Sequence, residues 1–482
     1  EDDRGGPDGR SGIEPSIFFA TMTPDSVHLL TRSSQMSLFR DGKGRVRRAY
    51  YGARLHEPED AFSDSASAPL LCTTLADSLD GLPNASGEYD LCITQADGSL
   101  SLCLECERQE VVRLDEDREE AVFYLKDPAY PVRVEVHVRA HSESGVFMQW
   151  TVIRNEGEEG IRIHRAASGH LNLKAERYFV TSFRGTWGGE SLMSEEEVAR
   201  GHELVLASGT GTRAAQEGSP GFIISLDGPA PEDSGEVIMG AVAWPGNYRI
   251  WFRHSPYHYL YAGAGMDVAP APYVLDAGGV LETPPVILAW SGEGKGEASR
   301  SMHRWARRYG LRGGDEERMT LLNSWEGVYF TFTEDVLHGM MKRAADLGIE
   351  LFVLDDGWFG NRFPRNDARA GLGDWQENRA KLPHGIDGLA EKAEELGIRF
   401  GIWVEPEMVN PQSELFLSHP DWVIGLPGRE NRLERSQYLL DLSNPEVRGY
   451  ILGVMRELLG KHPGIAYVKW DCNRKISDPG SA

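Results

Sequence analysis

Four short segments in the second half of the chain carry the residues that could do chemistry. They are Trp325-Glu326, Asp355-Asp356-Gly357-Trp358, Trp403-Val404-Glu405-Pro406-Glu407 and Lys469-Trp470-Asp471-Cys472-Asn473-Arg474. Carboxylates accept hydrogen bonds from sugar hydroxyls, and flat aromatic faces bury the apolar C–H side of a pyranose, so the combination points to carbohydrate. Alternation along the last segment puts Tyr467, Lys469 and Asp471 on one face and Ala466, Val468 and Trp470 on the other. A lysine two residues from an aspartate favours its ionised form, which a nucleophilic carboxylate needs near neutral pH. The same pair also reads as a structural ion pair. Asp355, Asp356, Glu405 and Glu407 could together ligate a hard cation, although the scarcity of histidine at these positions argues against a transition metal.

The elements that must position these groups follow from pattern. Strands are expected at Thr320 to Trp325, Leu351 to Leu354, Arg399 to Val404 and Ile465 to Trp470, with helices at Glu334 to Leu347, Ile386 to Leu396 and Glu446 to Leu459. Thr333, Gly348, and Asn444 followed by Pro445 supply caps and stops. Repeated β-α units mean a parallel sheet, and in a β/α barrel function gathers at the C-terminal strand ends. A full barrel takes eight units and typically about 250 residues. Only four strands follow Asp315, so the expectation is the first half of a (β/α)8 TIM barrel over residues 315–482, with the remainder missing. A doubly wound open sheet is the alternative, but no Gly-rich phosphate loop follows any of these strands.

Upstream the regime differs. Residues 1–14 form an acidic, Gly-rich tail without apolar period. Residues 15–293 read as short alternating strands between turns, with Val132-Arg133-Val134-Glu135-Val136-His137-Val138 the cleanest run. Asp41-Gly42-Lys43-Gly44, Asp97-Gly98 and Asn155-Glu156-Gly157 mark expected hairpins. The whole is expected to be an antiparallel β-sandwich, joined to the barrel by a linker helix within residues 294–314.

Bulk composition mainly excludes. The 482 residues carry 74 acidic against 50 basic side chains, a formal charge of -24 that disfavours nucleic acid and anionic lipid as partners. No apolar run approaches the ~18 residues of a membrane-spanning helix. Five cysteines scattered thinly suit a reducing, cytoplasmic compartment. Cys103 and Cys106 form a CxxC without a second ligand pair, and strand alternation would turn the two thiols apart, so neither zinc nor redox chemistry is expected of them.

Taken together and in order, Leu354-Asp355-Asp356-Gly357-Trp358-Phe359-Gly360, Leu372-Gly373-Asp374-Trp375, Trp403 through Asn410, His419-Pro420-Asp421-Trp422 and Lys469 through Arg474 resemble the α-galactosidases of glycoside hydrolase family 36. The resemblance covers nearly all of residues 320–478, and it implies an N-terminal β-supersandwich for the first half of the chain. It implies that Asp471 is the nucleophile of a retaining, exo-acting hydrolysis of terminal α-D-galactosyl residues, as in melibiose and raffinose, through a covalent galactosyl-aspartate. Asp355 and Asp356 would hold the sugar hydroxyls, Trp325 and Trp403 would shape the pocket, and Lys469, Asn473 and Arg435 would complete the polar shell. Gly373-Asp374-Trp375 would belong to a substrate-shaping loop, while Glu405 and Glu407 could equally support the rim. The acid/base aspartate is expected on a later strand, beyond the C-terminus of the sequence, and no metal or other cofactor is implied.

One departure is the stretch from Gly209 to Phe222, which lacks the Ser-Ser-His-like run of the family. The resemblance leaves α-N-acetylgalactosaminidase and raffinose-type transglycosylase as neighbouring activities. A catalytically silent sugar-binding fragment is the alternative from another class. The partners expected are α-galactoside oligosaccharides, and the full-length protein admits a homo-oligomer.

Overall fold

The computed structural model describes residues 20–62, 68–73, 89–209, 218–268, 271–477 and 480–481. The tail expected at 1–14 and residues 210–217 of the departing stretch lie outside the described residues. By contact the chain forms two compact units, one built from the sequence up to Asp315 and the other from Glu316 onward.

The named strands of the first unit all pair antiparallel. Ten strands form one sheet, ordered from Gly189–Glu197 at one edge to Glu105–Arg113 at the other. A six-stranded sheet centres on the long strand Ile161–Lys174, and a five-stranded sheet spans Thr21–Met22 to Ala68–Pro69. One large apolar cluster, with Val134, Val136, Val138, Phe147, Ile163, Ile250 and Phe252 fully buried, fills the space between sheets. Alternation explains it: Val132–His141 buries every second residue along most of its length. Cys103 is exposed and Cys106 buried.

Asp41 to Gly44 does join the paired strands Ser34–Arg40 and Val46–Ala53. The other two turns correct the hairpin expectation. Asp97-Gly98 follows Leu91–Thr94, which pairs in the six-stranded sheet, whereas the next strand pairs in the ten-stranded one. Asn155-Glu156-Gly157 likewise passes from the larger sheet to the smaller. Turn residues specify that the chain reverses, not which sheet receives the next strand. The helix Gly294–Trp305 packs within this unit, with Met302 and Trp305 lying against Val146, Ile287 and Ala289.

The second unit holds a parallel sheet of four strands, here β1 (Leu321–Asn323), β2 (Leu351–Leu354), β3 (Arg399–Val404) and β4 (Ile465–Trp470), side by side in sequence order. Helices α1 (Glu334–Asp346), α2 (Gly385–Glu395) and α3 (Pro445–Lys461) make the crossovers. The Asn444 side chain accepts from the Glu446 N–H and caps α3, and Gly348 closes α1 at φ 78°. All four residues of β2 are buried and β3 is buried beyond its first residue, whereas the outer strands β1 and β4 are half-buried or exposed throughout. β1 is shorter than expected. It stops at Asn323, and Trp325 starts a single helical turn, Trp325–Val328.

Among the described residues, no helix is long and apolar enough to cross a membrane.

Candidate functional site

The carboxylates Asp355, Asp356, Glu405, Glu407 and Asp471 lie just beyond the C-terminal ends of β2, β3 and β4. The register pairs Trp403 with Lys469 and Val404 with Trp470, so Asp471 stands one residue past the last rung, its N–H donating to the Val404 carbonyl at 2.8 Å. The Trp403 indole N–H donates to Asp471 Oδ2 at 2.9 Å, and the Cys472 N–H donates to Oδ1 at 3.0 Å. Burial alone would push the Asp471 carboxyl up. Hydrogen bonds from the Trp403 and Asn473 side chains, then the charge of Lys469, outweigh it and hold Asp471 below the usual carboxylate range.

Lys469 is shared unequally. Its Nζ lies 2.7 Å from Asp355 Oδ2 and 4.0 Å from Asp471 Oδ2. The lysine expected to serve Asp471 is therefore foremost the partner of Asp355. Asp355 Oδ2 also accepts from Asn323 Nδ2 at 2.6 Å, and its Oδ1 accepts the Asp356 N–H at 2.8 Å. Asn323 ties β1 to this group, because its Oδ1 accepts the Trp325 N–H at 2.8 Å. The Trp325 ring meets Tyr329 and Phe330 edge-on at 5.2 and 4.9 Å.

Asp356 points elsewhere, into a buried pair with Arg365, whose Nε and second terminal nitrogen donate at 2.9 and 2.7 Å. Burial pushes the Asp356 carboxyl up, and the guanidinium pulls against it. Arg365 also donates to Asn410 Oδ1 at 2.9 Å, so this side of the site is a network rather than an isolated acid. An aromatic wall stands beside it. Phe359 and Trp403 are parallel with centroids 6.2 Å apart, and Trp375 packs against Phe359 at 4.6 Å. Asp374 serves the fold, because its two oxygens accept the Glu414 and Leu415 N–H groups that open the helix Glu414–Ser418.

Glu405 is buried, with one oxygen accepting the Asn473 N–H at 2.7 Å and the other the Gln437 Nε2 at 3.1 Å. Burial first, then the charges of Asp471 and Asp356, pushes it up to about 7. Both oxygens are thus engaged in holding neighbouring elements. Glu407 accepts from the Trp470 indole at 2.8 Å and is likewise raised by burial. These carboxylates are tied to separate donors instead of converging, and among the described residues no group of three or more His, Cys, Asp or Glu side chains could hold a metal ion.

Arg435 stands apart from the cluster. It is exposed, and with Ser436 it forms the tip of a two-residue turn closed by reciprocal backbone bonds between Glu434 and Gln437. Both tip residues have positive φ, 53° and 61°, the left-handed region that favours glycine. The turn is tethered through Gln437 to Glu405 and by the Asn410 Nδ2 to the Ser436 carbonyl at 2.7 Å. Sequence reasoning missed Asn323, Arg365, Asn410 and Gln437. Asn323 ends β1 and Asn410 closes the Trp403-to-Asn410 motif, whereas Arg365 and Gln437 sit in loops, and the only signal was their being polar residues beside the acidic ones.

Two family models match the chain in tandem. The glycosyl hydrolase family 36 N-terminal domain matches residues 44–276, and the melibiase model matches residues 280–482. The α-galactosidase AgaA of Geobacillus stearothermophilus is 35% identical over 373 residues, which is 77% of this chain and 50% of AgaA. The crystal structure of the family 36 α-galactosidase AgaB from the same organism superposes with a TM-score of 0.86 at 29% identity, covering 96% of this chain and 67% of that one. A variant of AgaA in complex with raffinose gives a TM-score of 0.86 at 29% identity, over 95% and 67%. The chain spans about half the length of the curated relatives it matches. With both halves matched by models of one family, and that family's enzymes sharing its fold, the chain belongs to glycoside hydrolase family 36.

Proposed function

We propose that the protein is a retaining α-galactosidase in which Asp471 is the nucleophile. The observation that carries this reading is the environment of Asp471: a carboxylate held ionised at a strand end by an indole N–H, an amide and a lysine, beside a second aspartate suited to binding hydroxyls. In the reaction, Asp471 attacks the anomeric carbon of a terminal α-galactosyl group. The bond to the leaving oxygen breaks, a proton reaches that oxygen, and water then releases galactose from the aspartyl ester. Asp355 holds hydroxyls of the sugar, with Asp356 paired to Arg365 beside it, Trp325 and Trp403 shape the pocket, and Lys469 and Asn473 complete its polar lining.

We infer further that β1 to β4 are the first half of a (β/α)8 barrel. Their parallel sense, sequential order and function-bearing C-terminal ends support this. Retention takes a second carboxyl about 5 to 5.5 Å from the nucleophile. Both oxygens of Glu405 are engaged by Asn473 and Gln437, and the acid/base of this reading lies in the half of the curated relatives' length that this chain does not span. Raffinose, bound by the AgaA variant, is a fitting substrate. The thin scatter of cysteines supports a cytoplasmic location.

Turnover of an aryl α-galactoside with a good leaving group tests the assignment, since such a substrate needs little acid assistance. Asp471→Ala is expected to abolish turnover, and added azide to restore it while producing the β-galactosyl azide. Undiminished turnover by Asp471→Ala would overturn the assignment.

A further inference from the structure

Lys381 lies outside the carboxylate cluster, and the reaction above does not use it. Its Nζ sits in a tripod of backbone carbonyls, donating to Gly357 at 2.8 Å, Arg365 at 2.9 Å and Phe330 at 3.0 Å, and it stands 4.8 Å over the Phe332 ring. An ammonium has three protons, and all three are engaged. The three carbonyls belong to three separate stretches. Phe330 follows β1 and packs edge-on against Trp325, Gly357 directly follows Asp356, and Arg365 is the partner of Asp356. Gly357 has φ 113°, and a Cβ there would stand 3.1 Å from Phe332 and 3.5 Å from the Arg365 carbonyl, so the turn around the ammonium is closed to larger residues.

The backbone of Lys381 is itself fixed. Its N–H donates to the Asn378 carbonyl at 3.1 Å, and its own carbonyl accepts the Glu334 N–H at 3.1 Å. Asn378 in turn donates to the Trp358 carbonyl from its N–H and to the Gly360 carbonyl from its side chain, both at 2.9 Å. The base of the tripod is therefore held by bonds other than the three that its ammonium makes.

We propose that Lys381 is a positioning residue for the hydroxyl-binding side of the site. By drawing three backbone carbonyls onto one ammonium, it sets where Trp325, Asp356 and Arg365 stand relative to the sugar. The proposal rests on the galactoside reading and adds to it a group that never touches the substrate. Lysine suits the role because a compact ammonium satisfies three converging carbonyls, which the flat fork of arginine cannot do. Burial lowers the Lys381 pKa to about 8, with the Asp356 carboxylate opposing that shift and the Arg365 guanidinium reinforcing it. Glu334, at the start of α1, accepts from the ring and the N–H of His384. As pH rises through about 8 the amine loses one donor, and one carbonyl of the tripod is left without its partner.

The test compares the wild-type protein with Lys381→Met and Lys381→Arg. Galactose dissociation constants are read from intrinsic tryptophan fluorescence at pH 6.5 and 9, and backbone hydrogen exchange is followed over residues 356–366. Wild type is expected to bind more weakly at pH 9. At pH 6.5, Lys381→Met should bind at least tenfold more weakly than wild type and show no pH dependence from this group. Lys381→Arg should fall between them, and exchange over 356–366 should quicken in both variants. If wild type saturates with galactose and both variants match it within twofold, the proposal is overturned. If wild type does not saturate, the galactoside reading falls instead. Exchange then decides the tripod separately, and unchanged exchange in both variants overturns it.

Discussion

Trp403 and Asp471 stand at the ends of adjacent parallel strands, and the indole N–H of one donates to the carboxylate of the other at 2.9 Å. The indole therefore has two uses. Its face joins the wall with Phe359 and Trp375, and its edge stabilises the charged form of Asp471.

Trp403→Phe separates these uses, because it keeps the aromatic face and removes the N–H. A hydrogen bond to a charged group contributes about 1.5 to 3 kcal/mol, and one pKa unit corresponds to about 1.4 kcal/mol. Asp471 keeps partial access to solvent, so we expect the lower end of that range. Its carboxyl pKa should rise, read by carbon-13 NMR titration of labelled aspartate. An unchanged titration would show that Asn473 and Lys469 alone keep Asp471 ionised.

Glu405 should make stability depend on pH. Its folded-state pKa of about 7 lies above the roughly 4.3 of an unfolded glutamate. The protonated form favours the fold, so its contribution is complete below about pH 4.3 and is lost as pH rises through about 7. The loss amounts to about 4 kcal/mol as an order of magnitude. Glu405→Gln cannot ionise, and the unpartnered Oε1 of Gln437 offers its amide an acceptor once the Gln437 side chain turns over. The variant should therefore gain stability relative to wild type between pH 5 and pH 8, measured by urea denaturation. Equal differences at the two pH values would remove Glu405 as a titrating group.

Arg365→Met should be the most damaging single change among the residues that sequence reasoning missed. It leaves Asp356 buried without its bidentate partner, a loss of about 3 to 5 kcal/mol. Adding Asp356→Asn should recover a substantial part of that, because the uncompensated charge is gone while the packing defect remains. If the double variant is no more stable than Arg365→Met, the cost lies in packing and in the bonds to Asn410 and Ala370, not in charge.

Local pattern carried a good deal of this protein. Val132–His141 reads directly as a strand because alternate residues must face alternate sides, and β2, β3 and β4 are bounded as their apolar runs suggest. The acidic and aromatic motifs, taken in order, were enough to indicate glycoside hydrolase family 36, because five separate stretches agree at once. Strand periodicity also put Lys469 and Asp471 on one face.

Tertiary structure decided the pairing. Lys469 lies two residues from Asp471 in sequence yet closest to Asp355, because the parallel register brings the ends of β2 and β4 into one cluster around it. Arg365, Asn410 and Lys381 sit in connections without period, and their partners depend on how those connections cross the strand ends. The turns at Asp97-Gly98 and Asn155-Glu156-Gly157 show the same limit in the sandwich, since a turn sequence sets a local backbone shape while long-range packing chooses the sheet. Composition and spacing determine which chemistry a segment can offer. Which groups share a proton, a charge or a carbonyl is settled only when distant backbones are brought within hydrogen-bond reach.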